Sequence, residues 1–263
     1  IEARAFRLER HARIDDGKII VIGEDGLVRW EGMAVARLIA GHDMLSPQLE
    51  VLADAELLQG QAEISVREAL AGWLARYIAK VMEPLISLHA SGELQGLSKG
   101  LAFQLFESMG VLERARVGGL VKGIEQSERG KLRALGVRFG ERHIFMPAML
   151  KPGPMALKLN LWRAANGITR QLAVPGAGLS SAPADATQPD GFYAIAGFEV
   201  CGPRAIRIDM LERLLAQLRL KNSRQGFPLE PALWSPVGCN VTDFEGVMRA
   251  LGYAPVAAAP APA

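Results

Sequence analysis

The apolar residues of this chain change their period more than once, and that change limits the folds open to it. Between Lys18 and Ala53 the pattern is strand-like. KIIVIGEDGLVRW places two apolar runs around Glu24-Asp25-Gly26, a hairpin signal, and MAVARLIAG and QLEVLAD follow as two further strands separated by a turn at Asp43–Pro47. From Glu63 the spacing becomes helical. Ile64, Ala71, Leu74, Ile78, Val81, Leu85 and Leu88 fall on one stripe, with Pro84 bending or ending the first helix. A chain that opens as a small antiparallel sheet and continues as helices belongs to the α+β class, here predominantly helical.

Further along, a helix is expected from Ser98 to a stop at Gly110, another over Glu113–Gly123, and a third over Ser127–Leu135 with Ser127 as its N-cap. GVRFGERHIFMP then alternates at Val137, Phe139, Ile144 and Met146 about a turn at Gly140-Glu141, giving a hairpin inside a helix-hairpin-helix segment. MALKLNLWRAAN is helical and stops at Gly167. The stretch 174–189 is rich in Pro, Gly, Ser and Ala and reads as a linker. FYAIAG (helix), FEVCG (strand) and IDMLERLLAQLRLKN (amphipathic helix) follow, and ALWSPVG with VTDFEGVMRALGY forms a helix-turn-helix pattern. Together these suggest a winged-helix-like unit with GFEVCGPRAIRI as wing. The resulting division is 1–60 (β-rich), 61–173 (helical, with the hairpin), 174–189 (linker), 190–254 (winged-helix-like) and 255–263 (a disordered Ala/Pro tail).

The net charge of +2 conceals a local excess. Residues 1–100 hold 11 basic and 15 acidic side chains, residues 101–175 hold 12 and 5, and residues 176–263 hold 7 and 8. The excess is densest in RGKLRALGVRFGERHIFMPAMLK. There Arg129, Lys131, Arg133, Arg138, Arg142 and Lys151, with His143, stand against the acid Glu141. A basic helix feeding a basic hairpin suits a surface that tracks a phosphate backbone, and Arg204 and Arg207 on the wing extend the same argument. A solvated or ion-paired face is the plainer alternative. In the helix-turn-helix, Asp243 and Glu245 occupy the first turns of the second helix, where they suit the macrodipole better than base edges.

Catalytic signatures are missing. The chain has no GxxxxGK[ST] phosphate loop, no DExx-type carboxylate pair, no HExxH and no GxSxG. Cys201 and Cys239 are far apart, without the spacing of a zinc site, and fit a reducing cytoplasm as small buried hydrophobes. No apolar run approaches the roughly 18 residues of a membrane span. The N-terminal IEARAFRLERHARIDD has no signal-peptide core and reads as the middle of a longer polypeptide.

The strings GVRFGERHIFMPAMLKPGP, FYAIAGFEVCGPRAIRIDMLERL and VGCNVTDFEGVMRALGY resemble the C-terminal region of alphaproteobacterial helicase-related proteins, similar to the Suv3-like group of superfamily 2. WEGMAVARLIAG and QLEVLAD resemble the stretch that follows the helicase core in that group. The resemblance covers about residues 18–253. It implies a parent ATP- and magnesium-dependent motor acting on RNA or DNA, with the ATPase motifs upstream in the same polypeptide. This chain would then be a cofactor-free accessory region that binds or guides a single strand. Recruitment of a protein partner, such as a nuclease, is the alternative role.

Overall fold

The computed structural model describes residues 2–15, 17–52, 61–176, 178–221 and 225–256. In chain order the first elements are α1 (Glu2–Ile14), β1 (Ile20–Ile22), β2 (Leu27–Trp30), β3 (Met33–Ile39) and β4 (Gln48–Val51). Then come α2 (Gln61–Val81), α3 (Glu83–Ala90), α4 (Gly96–Glu107), β5 (Val111–Glu113), α5 (Gly118–Gly123) and α6 (Gln126–Ala134). The hairpin strands are β6 (Arg138–Phe139) and β7 (His143–Phe145), followed by α7 (Pro152–Ala165) and β8 (Ser181–Pro183). The chain closes with α8 (Phe192–Ala196), β9 (Phe198–Cys201), β10 (Arg204–Arg207), α9 (Ile208–Arg219), α10 (Pro231–Trp234) and α11 (Val241–Ala250). The fold is α+β and mainly helical, with a four-stranded antiparallel sheet near the N-terminus.

Contacts group these elements into two units, residues 1–95 with 151–174, and residues 96–150 with 175–263. This differs from a division at 60 and 173. The helices α2 and α3 stay with the N-terminal sheet because α2 packs on α1 and β4, and α7 returns to the same unit against β3 and α2.

In the first unit the sheet is a meander, β1-β2-β3-β4, with Ile20 opposite Trp30 and Leu38 opposite Leu49. The α1 helix was not foreseen in the sequence, where polar residues dilute its buried stripe of Ala5, Leu8 and Ala12. Asp15 ends it. Its carboxylate accepts the backbone N–H groups of Gly17, Lys18, Ile19 and Ile20 at 2.8–3.1 Å, and the Trp73 indole N–H at 3.1 Å. Gly17 has φ +97°, and a Cβ there would lie 2.5 Å from the Tyr77 ring, which stacks on Trp73. Sheet and helices thus lock at one buried carboxylate.

In the second unit the basic hairpin forms as expected, but with an added strand. β5 pairs with β7, giving the order β5-β7-β6. Residues 113–123 are therefore a strand end, a 3-10 turn (Arg114–Val117) and the short α5, rather than one helix. A third strand covers the open edge of β7, which is buried along its whole length. Glu125, not Ser127, occupies the N-cap of α6, and makes no side-chain cap bond. The stretch 174–189 is more than a linker. Ser181–Pro183 pairs antiparallel with β10, making a sheet of order β8-β10-β9. Composition pointed to a loop there, but the free edge of β10 supplied a pairing partner.

The wing hairpin and the C-terminal helices share one core, with Cys201, Ile206, Leu211, Leu214, Leu233, Phe244 and Val247 buried together. The first helix of the helix-turn-helix pattern is only one turn, α10. Asn240 caps α11 by accepting the Asp243 N–H at 2.8 Å. The tip of the wing is closed against α11. A Cβ on Gly246 would lie 2.6 Å from Pro203 Cδ, and one on Gly202 would lie 2.7 Å from the Gly246 carbonyl oxygen. The wing is a packing element, braced on the helix that a groove reader would have to expose. The Ala/Pro tail from 257 onward lies outside the described residues. No described helix is long and apolar enough to cross a membrane.

Candidate nucleic-acid interface

The basic segment divides by what holds each cation. Arg129, on α6, reaches back to the C-terminal end of α5 and gives Nε to Ile124 O at 3.0 Å and Nη2 to Val121 O at 2.7 Å. Arg133 lies over the Phe139 ring, 5.5 Å from its centroid, in a cation–π contact. Arg138 donates to Arg133 O and Val137 O at 3.3 and 3.2 Å. Arg114, overlooked in the sequence because it precedes the dense run, donates Nη1 to Gly140 O at 2.7 Å. Carbonyl oxygens and a ring fix these four guanidinium groups without cancelling their charge. Arg133 and Arg138 are exposed, while Arg114 and Arg129 are half-buried.

Carboxylates hold most of the remaining members. Lys131 pairs with Glu128, and Arg142 Nη2 stands 2.7 Å from Glu199 Oε1. Arg207 grips Asp209 through Nε at 2.6 Å and Nη2 at 3.0 Å. Arg204 donates to Ser181 Oγ at 2.8 Å and lies 3.7 Å from Asp243, so it ties β8, β10 and α11 together. These arginines brace the wing. Lys151 is exposed at the N-cap of α7 and belongs to the first unit.

His143 is a correction. It is 4% exposed, so it is withdrawn from the surface at which it was expected to touch a strand. Its Nδ1 lies 3.0 Å from Glu212 Oε1 and its Nε2 lies 3.2 Å from Glu199 Oε2. A neutral ring can donate to one of these carboxylates; a protonated ring donates to both. Glu212 also accepts the backbone N–H groups of Glu141, Arg142 (3.0 Å) and His143 (2.7 Å). Gly140 makes room for this, since a Cβ there would run into the Glu212 carboxylate.

The two glutamates have opposite electrostatics. Burial pushes Glu212 upward, but His143 and the three backbone donors outweigh it and hold its carboxyl below the usual range. Burial raises Glu199, aided by Glu113 and Glu212, and prevails over the opposing pull of Arg142 and His143. Beside them, burial pushes the Cys201 thiol up to about 12, the state of an inert core thiol.

A cleft of about 420 Å³ opens over this cluster, lined by Glu113, Arg114, Ala115, Glu141, Arg142, His143 and Glu199. No serine, threonine, cysteine or lysine is among these lining residues. Among the described residues no group of three or more His, Cys, Asp or Glu side chains is placed to hold a metal ion. The arrangement anchors a turn and presents cations. Compared with protein-family models, curated proteins and solved structures, the chain finds no match.

Proposed function

We propose that the chain is a non-catalytic accessory region of a Suv3-like helicase, and that it binds and guides a single strand of RNA or DNA along the helix-hairpin segment of its second unit. One observation carries this reading: Arg114, Arg129, Arg133 and Arg138 are held by carbonyls and a ring, so four positive charges are positioned without being neutralised. A phosphate backbone needs fixed, uncancelled donors, and it supplies the counter-charge the protein withholds. The hairpin that carries Arg138 is braced at its turn, where Glu212 takes up three backbone N–H groups.

The test is fluorescence anisotropy with a single-stranded oligonucleotide across a salt series. Affinity should fall with salt at a slope of about 0.7 per phosphate contacted. Changing Arg133 and Arg138 together to Gln should weaken binding and reduce that slope by about one to two contacts. Unchanged affinity and slope in the double variant would remove this face from the reading.

A further inference from the structure

The first unit contains a different arginine arrangement, built from α7 and the N-terminal sheet. Arg163, on α7, is 4% exposed, and its Nε has no hydrogen-bond partner. A guanidinium is a planar fork of donors, and one taken out of water without an acceptor is costly. The side chain lies where Gly26 makes space for it: a Cβ at Gly26 would run into Arg163 Nη2.

Asp25 is the neighbouring carboxylate, but it is already used. Arg29 donates Nη1 to Asp25 Oδ1 at 2.8 Å and Nη2 to Oδ2, and the Leu27 N–H adds a third bond at 3.1 Å. Arg37 contributes a second positive charge near Arg163, opposed by Glu50 only across 3.8 Å. Arg163, Arg37, Asp25 and Glu50 line one cleft of about 660 Å³, together with Gly167, Ile168 and Thr169 after the end of α7. That volume suits a metabolite-sized ligand.

We propose that this cleft is an oxyanion-binding site, in which Arg163 and Arg37 receive a phosphate or carboxylate group. An anion with two oxygens in one plane matches the guanidinium fork. Its charge would offset the cost of holding a guanidinium with an unpaired Nε out of water. Glu50 stands 3.8 Å from Arg37, a distance loose enough for an anion to compete. The site shares no residue with the strand-binding face, and each can fail alone.

The experiment uses the full chain, with inorganic phosphate and acetate added separately at ionic strength matched by chloride. Binding should raise Tm by about 2–4 °C at saturating anion. It should also move an arginine side-chain Nε–H resonance, assigned to Arg163 by its absence in Arg163→Lys. Arg37 is half-exposed, so Arg37→Gln leaves the packing intact and should remove at least half of the Tm rise. Acetate and phosphate responses compared side by side identify the oxyanion class. No Tm rise with either anion, or an equal rise in Arg37→Gln, overturns the proposal, and Arg37→Gln decides the matter even if Arg163→Lys fails to fold.

Discussion

Glu212 Oε1 stands 3.0 Å from His143 Nδ1 and 2.7 Å from the backbone nitrogen of the same residue, so one carboxylate fixes both the ring and the strand that carries it. With Glu141 and Arg142 also donating, the hairpin turn depends on a side chain from α9, about seventy residues later. Replacing Glu212 by Ala strands three backbone donors and should cost about 3 kcal/mol or more. Glu212→Gln keeps an acceptor and should cost about 1–2 kcal/mol. Because the folded-state carboxyl is held below its unfolded value, its contribution is present above the ordinary carboxylate range and is lost as pH falls through the folded value. Urea unfolding across that range should show the gap between the wild type and Glu212→Gln closing toward acid.

Glu199 has the opposite sign. Raised by burial, it takes up a proton at higher pH than a free glutamate, and doing so releases the charge of Arg142. Strand affinity should therefore increase as the pH drops from neutral toward the carboxylate range. Glu113, Glu212, Arg142, His143 and the Cys201 thiol are the other charged or titratable groups around it. In Glu199→Gln the affinity at neutral pH should rise severalfold, and its pH dependence should flatten. Anisotropy titrations at several pH values read both effects; a steeper pH profile in the variant would contradict the role given to Glu199.

Asp15 carries the same type of load in the first unit. It is 7% exposed and accepts four backbone N–H groups and the Trp73 indole. Burial opposes its ionisation, yet those donors keep its carboxyl below the usual range, so this stability too is present above that range and lost in acid. Asp15→Ala should destabilise the unit by about 2–4 kcal/mol, and Asp15→Asn by less. Trp73 fluorescence against denaturant, read with Trp30, Trp162 and Trp234 changed to Phe, would report it.

Period and punctuation made most elements legible. The strands flanking Glu24-Asp25-Gly26, the break at Pro84, the stops at Gly110 and Gly167 and the turn at Gly140-Glu141 all arise from local preferences. What stayed hidden was non-local. β5 and β8 are three-residue strands that exist because β7 and β10 have free edges, and no window of three residues carries a period. The charge excess was legible in the sequence, but only the fold sorts Arg114, Arg129, Arg133 and Arg138 from Lys131 and Arg142. The difference is whether a carboxylate from elsewhere arrives, and Glu199 comes from a strand more than fifty residues away. The burial of Arg163 is non-local too, since it arises where α7 packs against β3.

The wing's closure on α11 can be tested through Gly246. A glycine inside a helix costs about 1 kcal/mol relative to alanine, so on helix propensity alone Gly246→Ala should stabilise the protein. The structure requires the opposite. The new methyl would meet Pro203 at 2.6 Å, and overpacking of that kind costs about 1–3 kcal/mol. The expected net effect is a loss of about 1 kcal/mol in urea unfolding. Pro203→Ala removes the ring that the methyl strikes. In that background Gly246→Ala should become neutral or stabilising, giving a coupling energy of about 1–2 kcal/mol between the two positions. Additive effects would mean that the wing tip stands away from α11, and the helix face beneath it would again be open to a nucleic-acid groove.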